Sequence, residues 1–278
     1  SGGSHTSDTG PVRNPYNLNK LKHLQALAEE APGELVFFKA DLLEPQSYDE
    51  AMAGCRVVFH TASPFAMKVE DARRDLIEPA VHGTRNVLDS ANLTESVQRV
   101  VLTSSCAAIF GDSKDLLSLP GQTLTEDVWN TTSSETHQPY YYSKTLAEKE
   151  AWKIAEAQDR WDLVVINPSF VIGPAIDPMA TSESFGLVTQ LGDGTMKSGA
   201  PDIGIGVVDV RDVAEAHFQA GFTPQASGRH IISGHNSDFP EIAAMLRQEF
   251  GDHYPIPRGK LPKWLLWLVG PMVNSSFT

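Results

Sequence analysis

The sequence predicts an α/β fold built on a mostly parallel sheet, and three observations lead there. Short, nearly continuous runs of Val, Ile, Leu and Phe alternate with longer segments of helical periodicity. A strand buried on both faces needs such a run, and the crossover helices between parallel strands supply the cover. The runs also end in polar residues: Asp41, Thr61-Ala62-Ser63, Ser104-Ser105 and Asn167-Pro168-Ser169. Chemistry therefore collects beyond the carboxyl ends of the strands, where ligands of open α/β sheets bind. Finally, 278 residues suffice for one large α/β domain, or for such a domain with a small annex.

The elements follow in order. Residues 1–10, Ser-Gly-Gly-Ser-His-Thr-Ser-Asp-Thr-Gly, read as linker or disordered sequence. Leu18, Leu21, Leu24 and Leu27 recur at helical spacing, and that helix ends near Pro32-Gly33. Glu34–Asp41 is a short β run, Tyr48–Ala53 a helix and Arg56–Thr61 a second strand. A long helix covers Ile77–Asn92, and Arg99–Ser104 is the third strand. After a loop rich in Ser, Thr and Gly, a helix carries Tyr140 to about Gln158. Leu163–Asn167 is the fourth strand, and residues 168–174 form a turn. The most apolar stretch, Trp264 to Val273, is too short to span a bilayer and contains Gly270 and Pro271, so it reads as a core or substrate-pocket helix.

Composition narrows the function. Lys+Arg 22 against Asp+Glu 35 gives a net charge of −13, and no basic cluster suggests nucleic acid. An acidic surface is also repelled by an anionic membrane. Cys55 and Cys106 make no disulfide framework, which points to a reducing, cytoplasmic setting. Cys106 follows a candidate serine and is expected to be a buried, inert thiol. Residues 1–20 lack the apolar core of a signal peptide, and no metal site is expected.

Tyr140 and Lys144 carry the candidate chemistry. A phenol is a poor acid at neutral pH, with an ordinary pKa near ~10. A lysine four residues on shares its helical face and can lower that value by its charge. A serine hydroxyl at a neighbouring strand end, Ser105 or else Ser104, can hold a carbonyl oxygen against the phenol. Proton delivery to a carbonyl needs those groups when a cofactor supplies hydride. Asn86 could support a proton-relay water or simply make a buried hydrogen bond.

Several longer motifs resemble the extended short-chain dehydrogenase/reductase family. They are similar above all to its dihydroflavonol reductase, cinnamoyl-CoA reductase and yeast-type methylglyoxal/aldehyde reductase branch. The motifs are Val12-Arg13-Asn14-Pro15 with Lys20, Phe38-Lys39-Ala40-Asp41-Leu42, and Val58-Phe59-His60-Thr61-Ala62-Ser63-Pro64. Further on come His82-Gly83-Thr84-Arg85-Asn86-Val87-Leu88, Asn167 through Pro174, and Val210-Arg211-Asp212-Val213-Ala214 with His217. The resemblance implies a Rossmann-like, doubly wound sheet with a small discontinuous substrate lobe. The dinucleotide-binding part would cover residues 11–174 and 206–233, and the lobe residues 175–205 and 234–278. It also implies NADPH, with Arg13 and Lys20 at the 2′-phosphate and Asp41 and Leu42 at the adenine. Thr61, Ala62 and Ser63 would lie beneath the cofactor, beside Ser104, Tyr140 and Lys144, and Pro168 and Val171 would lie near the nicotinamide. Arginine suits a phosphate because its fork donates two parallel hydrogen bonds; a solvated surface charge is the other reading of Arg13. Asp212 is expected to cap the Val213–Ala220 helix rather than act in catalysis.

The implied activity is reduction of a small-molecule aldehyde or ketone to an alcohol, in a monomer or homodimer. Thr136-His137-Gln138-Pro139-Tyr140 stands where the cinnamoyl-CoA branch has Asn-Trp-Tyr-Cys-Tyr, which weakens the case for a CoA thioester. The family opens with a strand, a Gly-x-x-Gly-x-x-Gly turn and a helix whose N-terminus binds pyrophosphate. No such turn precedes Arg13, and the sequence stops before the family's last strand and helix. A sheet without its central strand would expose unpaired edges, so residues of the natural protein are expected to be missing here, and these residues alone would hold NADPH weakly. Two alternatives stand beside the reductase: a nucleotide-sugar epimerase or dehydratase on the same fold, and a non-catalytic truncated family member.

Overall fold

The computed structural model describes residues 7–63, 69–177 and 182–261. In chain order the strands and helices begin with β1 (Ser7–Val12), α1 (Leu18–Glu30), β2 (Glu34–Lys39), α2 (Asp49–Met52) and β3 (Val57–His60). They continue with α3 (Glu78–Leu93), β4 (Arg99–Thr103), α4 (Pro139–Glu156), β5 (Asp162–Pro168), β6 (Phe170–Ile172), α5 (Glu183–Gly192) and β7 (Ala200–Pro201). The last are β8 (Gly204–Asp209), α6 (Val210–Phe222), β9 (Gly228–Ile232), β10 (His235–Asp238), α7 (Phe239–Phe250) and β11 (Lys260–Leu261). The chain divides into two compact units, Ser1–Asn167 with Glu215–Ile231, and Pro168–Ala214 with Ile232–Thr278.

In the first unit the strands form two sheets, β1-β2 and β3-β4-β5-β9. β3 runs parallel to β4, with Val57 opposite Arg99, and β4 parallel to β5, with Val100 opposite Leu163. Consecutive residues Val100 and Val101 are both fully buried, as are Val164 and Val165. Neighbours on a strand point to opposite faces, so the sheet is covered on both sides at its central strands β4 and β5, as their apolar runs required. The core packs Val87 and Leu88 of α3 against Leu102, Leu163 and Trp161. The second unit has its own core around Leu191, Ala200, Phe239, Ala243 and Ile256. Its mixed sheet runs β10-β8-β6, antiparallel between β10 and β8 and parallel between β6 and β8. β7 and β11 pair separately.

Three expectations need correction. Residues 7–10 are not linker: they open β1, which pairs in parallel with β2 from Ser7–Glu34 to Val12–Lys39. Little in Ser-Asp-Thr-Gly-Pro-Val signals a strand, because ladder hydrogen bonds rather than side-chain burial hold it. Gly10 suits the close approach, since a Cβ there would lie 3.0 Å from the Phe37 ring. The turn after β5 contains the short strand β6. The helix expected at Val213 starts at Val210, so Asp212 lies within its first turn. The residue in front is Asp209, whose Oδ1 accepts from the Arg211 N–H at 2.8 Å. The expected apolar helix at Trp264–Val273 lies outside the described residues.

Candidate active site

α4 starts where Gln138 takes a left-handed conformation (φ 55°) and Pro139 fills the first turn, so Tyr140 sits at the helix entrance and Lys144 one turn on. The Lys144 Nζ lies 6.0 Å from the centre of the Tyr140 ring and donates to Ser63 Oγ at 2.9 Å. Tyr140 is 42% exposed. The next ring, Tyr141, is more buried, which pushes its phenol above its ordinary value and makes it a poorer acid. Burial brings the Lys144 ammonium down to about 8, with the Glu148 carboxylate pulling the other way.

The two serines differ. Ser104 is buried, and its Oγ donates to Glu148 Oε2 at 2.6 Å. Ser105 is half-buried and starts the short turn Cys106–Ala108, where its Oγ accepts from the Ala107 N–H at 3.1 Å. Thr145 of α4 donates to the Ala107 carbonyl at 3.4 Å, which ties that turn to the helix bearing Tyr140 and Lys144. Cys106 donates to the Asn167 carbonyl at 3.4 Å, and burial pushes its thiol up to about 11.

The other residues expected at a cofactor follow strand ends. Arg13 comes just after β1, and its Nε lies 3.8 Å from Asp41 Oδ2. Both side chains are largely exposed, and such a pair is worth about 0–1 kcal/mol, which leaves the guanidinium available to an anion. Lys20 lies in the first turn of α1, where its N–H meets the Asn17 side chain. Leu42 is buried, and its carbonyl accepts from Asn86 Nδ2 at 3.0 Å. Of the two roles considered for Asn86, the hydrogen bond is present. Gly83 makes room for the Leu42 side chain, since a Cβ there would come within 2.5 Å of Leu42 Cγ. Thr61, Ala62 and Ser63 are exposed just beyond β3. Pro168 and Val171 belong to the second unit, where Val171 pairs with Val208 of β8.

Sequence reasoning missed the charged centre behind these groups. Glu148 is 1% exposed. It receives Arg229 Nε at 2.6 Å, Ser104 Oγ at 2.6 Å, Asn167 Nδ2 at 2.8 Å and Trp152 Nε1 at 3.3 Å. Arg229 also donates to the carbonyls of Ala108, Glu126 and Val128 and lies 3.8 Å over the Trp129 ring. The spacing Lys144 to Glu148 was available as a signal; the partner 81 residues away was not.

His60, the last residue of β3, is 4% exposed. Burial, helped by the Lys144 ammonium, holds its imidazole down to about 4, so it is neutral at pH 7. A folded value below the ordinary 6.5 means that His60 contributes stability in full above pH 6.5 and loses it as pH falls toward 4. The expected loss is about 3 kcal/mol by pH 4. Urea titrations of the protein and of His60→Asn across this range check it. An equal acid slope in the variant would place the effect elsewhere.

Residues 3–232 match the model of the NAD dependent epimerase/dehydratase family. Cinnamoyl-CoA reductase CAD2 of Medicago truncatula is 37% identical over 243 residues, covering 85% of this chain and 71% of that protein. An anthocyanidin reductase of Arabidopsis thaliana is 37% identical over 254 residues, covering 86% and 72%. Among solved structures, yeast methylglyoxal/isovaleraldehyde reductase Gre2 complexed with NADPH aligns with a TM-score of 0.75 at 29% identity, over 91% of this chain and 78% of that one.

Proposed function

Because the chain belongs to the NAD dependent epimerase/dehydratase family, we propose that it reduces an aldehyde or ketone to an alcohol with NADPH. The observation that carries this reading is the arrangement on α4, where an accessible phenol has a half-buried ammonium one turn away, beside a turn that begins with Ser105. Reductases among its relatives support it, as does the solved complex with NADPH.

The residues present fit such a cofactor. Arg13 and Lys20 offer cations for a 2′-phosphate, Asp41 and Leu42 flank the loop suited to an adenine, and Thr61–Ser63 with Ser104 line the strand ends beside Lys144. Pro168 and Val171 are assigned to the nicotinamide by the resemblance. When bound, the nicotinamide supplies hydride. Ser105 Oγ orients the carbonyl oxygen, and Tyr140 delivers the proton to it. Lys144 favours the phenolate that results and hydrogen-bonds ribose hydroxyls. Ser104 is committed to Glu148, which leaves Ser105 as the better-placed serine. The residues of the second unit form the substrate lobe in this reading. Two free thiols suit a reducing cytoplasm.

Consumption of NADPH with a panel of carbonyls, together with identification of the alcohol, tests the proposal. Conversion of a nucleotide sugar without net loss of NADPH would overturn it in favour of an epimerase. Cofactor preference gives a second test. Arg13→Ala is expected to weaken NADPH binding by about 1.5–3 kcal/mol, the worth of a charge-assisted contact, and to leave NADH binding nearly unchanged. Equal weakening of both cofactors, read by fluorescence titration, would remove Arg13 from the 2′-phosphate.

A further inference from the structure

Glu148 does more than fill the core. Its carboxylate is fully enclosed, and four donors converge on it from α4, β5, β9 and the residue just after β4. One of them acts as a relay. The Asn167 amide spends one N–H on Glu148 Oε2 at 2.8 Å and the other on the Ser105 carbonyl at 3.1 Å. An amide in the opposite orientation would set its oxygen against a carboxylate and a carbonyl, both acceptors, so Glu148 and the Ser105 carbonyl together fix which end of the amide faces them. Arg229 completes the brace, since it binds Glu148 and also the carbonyl of Ala108, where the Ser105 turn ends.

The same carboxylate lines the pocket that holds the Lys144 side chain. From β3 and the residues beyond it that pocket receives His60 and Ser63, from the end of β4 and the residue after it Thr103 and Ser104, and from α3 Thr84. His60 is held neutral. Glu148 is therefore the one negative charge among the described residues lining it.

We propose that Glu148 is a positioning residue for proton delivery: one buried carboxylate holds the Ser105 turn through Asn167 and Ser104 and supplies the countercharge to the Lys144 ammonium. The inference rests on the roles of Ser105, Tyr140 and Lys144 proposed above. Its physical basis is that burial alone disfavours the charged amine, and Glu148 opposes that effect. Arg229 offsets part of the field, so the expected change on removing the charge is several-fold rather than many orders.

Competitive acylation of Lys144 by acetic anhydride, read by peptide mass spectrometry on cofactor-free protein, reports the fraction of free amine. Glu148→Gln keeps the shape and removes the charge. Labelling of Lys144 at pH 6.5 is expected to rise about three- to tenfold. The high-pH limb of NADPH-dependent methylglyoxal reduction is expected to move to lower pH. Glu148→Asp keeps the charge but draws it back from Ser104 and Asn167. That variant is expected to label like the native protein while kcat falls at unchanged KM for NADPH.

Unchanged labelling and an unshifted pH profile in Glu148→Gln would make the residue a packing brace and overturn the inference. Where that variant does not fold, Glu148→Asp decides: native labelling with lost turnover supports the inference, and native turnover overturns it. Tyr140→Phe, assayed alongside, separates the two layers. An inactive Tyr140→Phe beside a native-like Glu148→Gln overturns this inference alone. A fully active Tyr140→Phe overturns the proposed function, and the labelling then still decides whether Glu148 sets the charge of Lys144.

Discussion

Tyr140→Phe is expected to cut turnover by about 10²-fold or more while leaving the fold and NADPH affinity nearly intact. The change removes one hydroxyl from a ring that is 42% exposed, so it opens no cavity in the core. What is lost is the acid. A phenol needs a nearby positive charge to release its proton near neutral pH, and the Lys144 Nζ lies 6.0 Å from this ring. Tyr141→Phe and Tyr142→Phe are expected to do far less, since Thr145 and Leu146 stand four residues after them. The burial that raises the Tyr141 phenol makes it a still poorer donor. Steady-state rates with a reducible carbonyl, together with thermal melts and NADPH titration, check this expectation. Turnover in Tyr140→Phe equal to that of the native protein would exclude Tyr140 as the proton donor.

The largest expected loss of stability comes from Arg229→Met. The side chains of Arg229 and Glu148 are 7% and 0% exposed and meet at 2.6 Å. Breaking a buried pair from one side leaves a charge without a partner and typically costs about 3–5 kcal/mol. Here the arginine also serves the carbonyls of Ala108, Glu126 and Val128 and stacks on Trp129, so those groups lose a donor and a neighbour together. Arg229→Lys keeps the charge but not the planar fork, and is expected to fall between the native protein and Arg229→Met. Denaturant titration followed by tryptophan fluorescence measures both. A loss under about 1 kcal/mol in Arg229→Met would mean that water or a rearranged neighbour satisfies Glu148.

Local sequence determined the parts of this protein that depend on local physics. β4 and β5 were legible because a strand buried on both faces must be apolar at every position, as Val100-Val101 and Val164-Val165 are, and β2 and β3 were legible from similar apolar runs although they are only partly buried. The pairing of Tyr140 with Lys144 was legible because helical periodicity alone puts residues four apart on one face. Polar residues at strand ends marked where a site should form for the same reason. Tertiary structure decided the rest. β1 carries no apolar signal, and its existence depends on hydrogen bonds to β2, a partner that begins 22 residues after Val12 ends it. The choice between Ser104 and Ser105 could not be read from adjacent identical residues; a carboxylate 44 positions away occupies the first and leaves the second at the head of its turn. Glu148 itself looks like an ordinary helical glutamate in sequence. Only folding brings Arg229, Asn167 and Ser104 around it, because the desolvation of a buried charge is answered mainly by groups gathered from three other parts of the chain, with Trp152 the one donor from its own helix.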